Sequence, residues 1–426
     1  MHDFRYKDNE LFCEDVRVGG LAQRFSTPLY VYSHHTILDH YRKLHRAFRA
    51  VRPLICFSVK SNSNLAILKI LVEHGAGLDI VSGGELYRAL KIKASPKRIV
   101  YASVGKTRLE IEDAIRAGIL FFNVESLQEL GLISEVATNL KKDVRVCIRI
   151  NPNIDPHTHR FITTGTVESK FGVDFEIARI IFLNRDNFKR VKLLGLHVHI
   201  GSQITQVEPF LAALRRISNF INTLKGMNIH LEWLNIGGGL GIIYRDEKPQ
   251  TAQEFASRVV PLLKKTGLKI ILEPGRFIVG NAGILVTRVL YVKDMPARRF
   301  VIVDAGMNDL IRPALYDAYH EILPVAKTAT EGSPERSRGK DRKKTDVVGP
   351  ICESADFLAK DRNLPLFESG DLLAVMGAGA YGFSMASNYN SRCRSAEVIV
   401  KGHKYYLIRS RETFKDLVRL EKVISL

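Results

Sequence analysis

Ile55-Cys56-Phe57-Ser58-Val59-Lys60 is followed by Asn64, by an apolar stripe at Leu65, Leu68, Leu71 and Val72, by Gly75, and then by Leu78-Asp79-Ile80-Val81. The first and last runs are short and rich in β-branched or aromatic residues, which suits strands. Between them the apolar positions recur at helical spacing, Asn64 is placed to cap the first turn, and Gly75 closes the last. The unit is therefore strand, helix, strand. The same cadence continues on both sides of it. Strands are predicted at 55–59, 78–81, 98–102, 120–124, 144–150, 193–200, 231–236 and 269–273. After the sixth, Phe210, Leu214, Ile217, Ile221 and Leu224 mark a helical face. A helix over 36–51 precedes the first strand.

Eight strands alternating with helices over about 240 residues fit a (β/α)8 TIM barrel, for which about 250 residues is typical. The fold class is α/β. The barrel is placed at 36–280. Beyond 283 the pattern changes to strands with few helices, at 284–292, 300–303, 347–351, 372–376, 397–400 and 405–408. These indicate a second, β-barrel-like domain built from residues 1–35 and 281–426, with 28–32 as an N-terminal strand that pairs into it. Residues 327–346 carry seven Lys/Arg and four Asp/Glu with almost no large apolar side chain, and are expected to form an exposed insertion.

The whole chain has 426 residues, more than one core commonly holds, since single cores stop growing at roughly 250–300 residues. Its 46% hydrophobic and 25% charged content is that of a soluble globular protein. No apolar run reaches the roughly 20 residues of a membrane helix, and the first residues hold no signal-peptide core. Five scattered cysteines, none in a C-x-x-C pair, exclude a disulfide framework and fit a reducing, cytoplasmic setting. The net charge of +18 attracts small anions as well as polyanions. Outside 327–346 no stripe of Lys/Arg interleaved with aromatics occurs, so a nucleic-acid partner is not expected.

In a TIM barrel the C-terminal ends of the strands form the active face. Lys60, Asp79, His197, His199, Gly237-Gly238-Gly239, Glu273 and Arg276 fall there. The three glycines let backbone N–H groups approach an anion, and Arg276 adds a fixed fork of donors at the next strand end. A lysine at a barrel mouth sheds water and can attack a carbonyl. A phosphate cradle, an amine and an inward carboxylate together are what pyridoxal phosphate chemistry needs. His197-Val198-His199 alternates on a strand, so both imidazoles are expected on one face. A metal pair, as in a metal-dependent barrel hydrolase, competes there with one imidazole stacked on a flat ring. Gly377-Ala378-Gly379-Ala380-Tyr381-Gly382 has the G-x-G-x-x-G form, but no amphipathic helix follows it. It is read as a loop delivering Tyr381.

Five motifs, Phe57-Ser58-Val59-Lys60-Ser61-Asn62, Asp79-Ile80-Val81-Ser82-Gly83-Gly84-Glu85, His197-Val198-His199-Ile200-Gly201-Ser202, Ile236-Gly237-Gly238-Gly239 and Glu273-Pro274-Gly275-Arg276, together resemble the diaminopimelate decarboxylase family. That family is an alanine-racemase-like group of pyridoxal-phosphate enzymes. The likeness continues through Asp304-Ala305-Gly306-Met307-Asn308-Asp309 to Tyr316, through Gly349-Pro350-Ile351-Cys352-Glu353-Ser354-Ala355-Asp356, and through Gly379-Ala380-Tyr381-Gly382. It implies decarboxylation of meso-2,6-diaminopimelate to L-lysine and CO2, the last step of lysine biosynthesis, with pyridoxal 5'-phosphate as cofactor. A related decarboxylase of the carboxynorspermidine type is the nearest alternative.

By that likeness Lys60 holds the cofactor aldehyde and His199 stacks on its ring. Asp79, Ser202, Gly239, Gly275, Arg276 and Tyr381 line its site, and Glu273 faces the pyridine nitrogen. Arg276, Arg312, Tyr316, Glu353 and Tyr381 contact the amino-acid substrate, and Cys352 donates the proton. The family pattern also implies a homodimer in which Cys352 and its neighbours reach the partner's active site. Two departures stand out: Ser61 where the family commonly has Ala, and Cys393 where it has Pro.

Overall fold

In a computed structural model, which describes residues 2–155, 164–165, 169–327 and 344–425, the chain divides into two compact units. One comprises His40–Ile242 and Glu247–Phe277. The other comprises Met1–Asp39, Ile243–Asp246 and Ile278–Leu426. The short segment Ile243–Asp246, inside the range that periodicity assigns to the barrel, belongs to the second unit.

Four strands precede the barrel: β1 (Phe4–Lys7), β2 (Glu10–Cys13), β3 (Val16–Arg17) and β4 (Leu29–Ser33). The barrel follows as β5 (Leu54–Ser58), β6 (Gly77–Ile80), β7 (Ile99–Tyr101), β8 (Phe121–Val124), β9 (Val144–Arg149), β10 (Val191–His197), β11 (Trp233–Asn235) and β12 (Lys269–Leu272). These eight are all parallel and close on themselves, β12 pairing β5. The predicted strands agree to within one to three residues at most ends. Parallel strands covered on both faces read as continuous apolar runs, which is why they are legible.

Cys56, Val100, Leu120, Phe121, Cys147 and Ile271 fill one layer of the core, with Leu54, Leu194 and Trp233 packed against it. The connecting helices begin on caps the sequence displays. The Asn64 side chain accepts the Ala66 N–H at 2.9 Å and starts Leu65–Glu73. Thr107 and Thr251 form capping boxes with Glu110 and Glu254 at the starts of Arg108–Ala117 and Ala252–Thr266.

The second unit carries β13 (Gly283–Asp294), β14 (Arg299–Val303), β15 (Ile322–Pro324), β16 (Thr345–Val348), β17 (Phe357–Arg362), β18 (Leu372–Val375), β19 (Ala396–Lys401) and β20 (Lys404–Arg409). One sheet runs β17-β16-β14-β13-β4-β19-β20, with β18 pairing both β13 and β15. β1, β2 and β3 form a separate three-stranded sheet. The N-terminal strand β4 thus lies in the middle, antiparallel to β13 and parallel to β19. All five of its residues are buried. Leu29, Val31, Ile284, Val286, Ala374, Met376, Val398 and Val400 pack in this unit's core.

Three expectations need correction. The expected exposed insertion 327–346 does not extend to 346, because Thr345 and Asp346 are buried in β16. Asp346 lies between the Arg298 guanidinium at 2.8 Å and the Asp361 N–H at 2.7 Å. Residues 328–343 of that stretch lie outside the described residues. The strand expected at 347–351 ends at Val348, so Cys352 sits in a turn beyond it. The strand expected at 193–200 ends at His197, which leaves His199 past the strand. No helix among the described residues is long and apolar enough to cross a membrane.

Candidate active site

The C-terminal ends of the barrel strands gather polar side chains around one buried carboxylate, that of Glu273, just past β12. Its Oε1 accepts from Asn123 Nδ2 at 3.1 Å and also from Asn235 Nδ2. Its Oε2 meets His197 Nε2 at 3.1 Å. Burial alone would raise this carboxyl. The facing imidazole, the His197 and Asn235 hydrogen bonds and the Lys60 charge outweigh burial and hold Glu273 below the ordinary carboxylate range. It is ionised at neutral pH. The buried His197 Nδ1 has no hydrogen-bond partner among the described residues.

Asp79, at the end of β6, is shifted the other way. Burial first, and then the like charge of Glu273, push it up. Ser58 Oγ lies 2.6 Å from Asp79 Oδ2 and 3.1 Å from the Glu273 carbonyl oxygen. One hydroxyl proton cannot serve both acceptors. A protonated Asp79 Oδ2 donating to Ser58, which donates onward to the carbonyl, gives those three oxygens partners and leaves the buried Asp79 Oδ1 without one among the described residues. Lys60 follows β5 in the single turn Val59–Ser61, and its Nζ stands 3.8 Å from Asp79 Oδ2. The Lys60 side chain keeps 39% of its surface open to solvent, so the amine is reachable.

His197 and His199 do not share surroundings, contrary to the expectation of two imidazoles on one strand face. His197 is 1% exposed and bound to Glu273, whereas His199 lies beyond the strand and is half-buried. His199 Nδ1 accepts the Gly238 N–H at 3.3 Å. Burial, with the Lys60 and Arg149 charges behind it, drives His199 well below the usual imidazole range, so the ring is neutral at pH 7. A neutral, oriented imidazole presents a flat face.

The glycine run is built for close approach. A Cβ on Gly238 would stand 2.1 Å from the Glu273 carbonyl oxygen. Gly239 has φ +105°, and a Cβ there would meet the Gly201 carbonyl at 2.5 Å. Beside it the buried Arg276 guanidinium donates to Ser202 Oγ at 3.1 Å. Gly275 packs against Ser58 and Ser61, leaving 3.0 Å for a Cβ. Backbone, hydroxyl and guanidinium donors thus converge at the ends of β10, β11 and β12, an arrangement suited to a phosphate.

In the second unit, Arg312 begins the short helix Arg312–Tyr316 and is buried. It lies 4.6 Å over the Tyr244 ring and 2.9 Å from His320 Nε2. His320 Nδ1 donates to the Met376 carbonyl at 2.8 Å, which leaves Nε2 free to accept from the guanidinium. Tyr316 is half-buried at the end of that helix. Cys352 and Glu353 are exposed. Tyr381 takes a left-handed φ of 58° in the glycine loop, and only the single turn Phe383–Met385 follows, not a nucleotide-binding helix.

Sequence reasoning missed Asn123 and Asn235. Each is one polar residue inside an apolar strand run, Phe121-Phe122-Asn123-Val124 and Trp233-Leu234-Asn235-Ile236. That interruption was the available signal. It also left Glu125 and Arg149 unpaired, although both are buried and joined at 2.7 Å. Lys106, fully enclosed, binds Glu129 at 2.6 Å and the Asn123 carbonyl at 2.9 Å, bracing the strand that carries Asn123.

Residues 34–280 match the family model described as pyridoxal-dependent decarboxylase, pyridoxal binding domain. Fold and site together define a barrel-type decarboxylase of that class. Diaminopimelate decarboxylase of Aquifex aeolicus is 48% identical over 416 residues, 97% of this chain and 96% of that protein. The Pseudomonas aeruginosa enzyme of the same name is 45% identical, with both chains covered in full. The crystal structure of diaminopimelate decarboxylase from Helicobacter pylori complexed with L-lysine superposes with a TM-score of 0.88 at 42% identity, over 95% of this chain and 98% of that one. The chain belongs to the diaminopimelate decarboxylase family.

Proposed function

We propose that this protein removes one carboxyl group from meso-2,6-diaminopimelate, yielding L-lysine and CO2, with pyridoxal 5'-phosphate held in the barrel mouth. The observation that carries the assignment is the Glu273 carboxylate, kept ionised by three donors on the same barrel face as an accessible lysine and a glycine–Ser–Arg phosphate cradle. The residues fit the group. At Gly239 no side chain stands between the backbone and the phosphate, and Ser202 and Arg276 supply donors beside it, while the Gly238 N–H is already given to His199 Nδ1. Lys60 would hold the aldehyde, and Glu273 would favour the protonated form of the ring nitrogen. The neutral imidazole of His199 would lie against the ring, with Asp79 and Gly275 beside it in the barrel. When bound, the cofactor supplies an electron sink for the pair left by CO2.

The residues of the second unit receive the substrate. Arg312, oriented by His320 and Tyr244, offers its fork to the distal carboxylate together with Tyr316, and Arg276 adds a donor. Glu353 pairs an ammonium group. Cys352 gives its thiol proton to the carbon that loses CO2, and solvent restores that proton. An ornithine-type substrate has no distal carboxylate for the Arg312 fork to bind. The reaction is assigned to the cytoplasm, where the free thiols of Cys13, Cys56, Cys147, Cys352 and Cys393 are stable.

The direct test is to incubate the protein and pyridoxal phosphate with meso-diaminopimelate, and separately with ornithine or carboxynorspermidine. Stoichiometric lysine and CO2 from the first alone support the assignment. Turnover of carboxynorspermidine alone would move it to that class.

We further infer a homodimer with shared sites, because the proton donor and Glu353 lie exposed on a turn rather than enclosed. Cys352→Ala is expected to slow turnover while keeping the cofactor bound. Mixing Lys60→Ala and Cys352→Ala chains should then recover roughly a quarter of wild-type activity, since half the dimers are mixed and each carries one complete site. Activity no higher than the sum of the separate variants would contradict shared sites.

A further inference from the structure

The turn that carries Cys352 is tied down by two side chains to which no role has yet been given. The Asn390 side-chain oxygen accepts the Cys352 backbone N–H at 3.0 Å. One residue earlier, Asp356 Oδ2 accepts the Ile351 N–H at 2.6 Å. The other Asp356 oxygen accepts the Met307 N–H at 2.6 Å, which ties the turn to the loop after β14. The Asp356 N–H closes back on the Glu353 carbonyl at 3.0 Å, and the Glu353 N–H reaches the Ile351 carbonyl at 2.7 Å. There is little slack around this clamp. A Cβ on Gly349 would stand 2.6 Å from Asp356 Oδ2, and one on Gly306 would stand 2.9 Å from Oδ1. Asn390 is itself set in a left-handed conformation, φ 54°, one that Asn and Asp tolerate better than most residues.

We propose that Asn390 and Asp356 are positioning residues that fix the two consecutive peptide N–H groups leading into Cys352, those of Ile351 and Cys352, so that the Cys352 thiol meets the carbon losing CO2 from one side only. The inference rests on the assignment of Cys352 as proton donor. An exposed thiol on an untethered turn would sample many directions, and the bare carbon would then also take its proton from water. Two backbone bonds at consecutive residues remove that freedom without touching the sulfur.

The reaction run in D2O reads this directly. A C–C bond breaks, CO2 leaves, and a C–D bond forms at the same carbon. Delivery from one thiol gives one configuration at that CHD centre, whereas delivery from solvent mixes both. Asn390→Gly removes the acceptor while tolerating positive φ, and Asn390→Asp keeps an acceptor oxygen in place. With Asn390→Gly the steric purity of the product lysine should fall, exchange of the Cys352 backbone N–H in the cofactor-free protein should quicken, and kcat should drop by about threefold to tenfold, the worth of one hydrogen bond. With Asn390→Asp all three should stay near wild type. Asp356→Asn should behave as Asn390→Gly does; if that buried change prevents folding, the exposed Asn390 pair still decides. Unchanged purity in Asn390→Gly, with purity lost in Cys352→Ala, would overturn the inference and leave the role of Cys352 standing. Purity retained in Cys352→Ala would overturn both.

Discussion

Lys60→Ala is expected to abolish both turnover and the visible absorbance of protein reconstituted with pyridoxal phosphate. In the proposed reaction the lysine has two separable functions in the mouth of the barrel. It contributes a cation 3.8 Å from Asp79, and it contributes an amine able to bond to an aldehyde. Lys60→Arg keeps the first and removes the second, because a guanidinium stays protonated. Both variants should lose about 10^4-fold or more in kcat, the scale seen when a covalent nucleophile is deleted. Neither should show imine absorbance. A borohydride-stable cofactor label on either variant would show that another amine holds the aldehyde.

Glu273→Gln should give the second largest loss. The amide has nearly the shape of the carboxylate but carries no charge, and half of it is a donor. Asn123, Asn235 and His197 all present donors to that group, so one of the existing contacts becomes donor against donor. The expected fall in kcat is about 10^2- to 10^3-fold, the scale of one preorganised electrostatic contact. Cofactor affinity should change less, since the phosphate cradle is untouched.

The same substitution gives a pH signature. Glu273 titrates lower in the folded chain than when unfolded, so its ionised form adds stability above the unfolded carboxyl range of about 4.3. That contribution is lost as pH falls toward the folded value. The stability difference between wild type and Glu273→Gln, read by thermal unfolding, should therefore be flat near neutrality and shrink in acid. A constant difference down to pH 3 would show that Glu273 is not held in its ionised form.

The barrel was legible because its strands are buried on both faces and bounded by caps that sequence displays, such as Asn64 and Thr107. The polar cluster of Lys60, Asp79, Glu273 and Arg276 at the strand ends was legible for the same reason, since it follows from where the strands end. Finer features were not. β17 reads Phe-Leu-Ala-Lys-Asp-Arg, half of it charged, and only pairing with β16 makes it a strand. Thr345 and Asp346 look like the end of a polar stretch, yet tertiary pairing buries them.

The two histidines show the limit most clearly. Alternation along a strand implies a shared face, but β10 stops at His197 and the chain then turns. One imidazole becomes a partner of Glu273 and the other a neutral ring beside Gly238. Asn123 and Asn235 could not be assigned before the closed barrel brought three strands' side chains onto one carboxylate.

Reduction of the reconstituted protein with borohydride, followed by digestion and mass spectrometry, tests the central claim most directly. A single pyridoxyl-phosphate label on the peptide holding Phe57-Ser58-Val59-Lys60, displaced when substrate is present before reduction, is the result expected. A label on a different lysine, or no stable label on protein that nonetheless converts diaminopimelate, would contradict it.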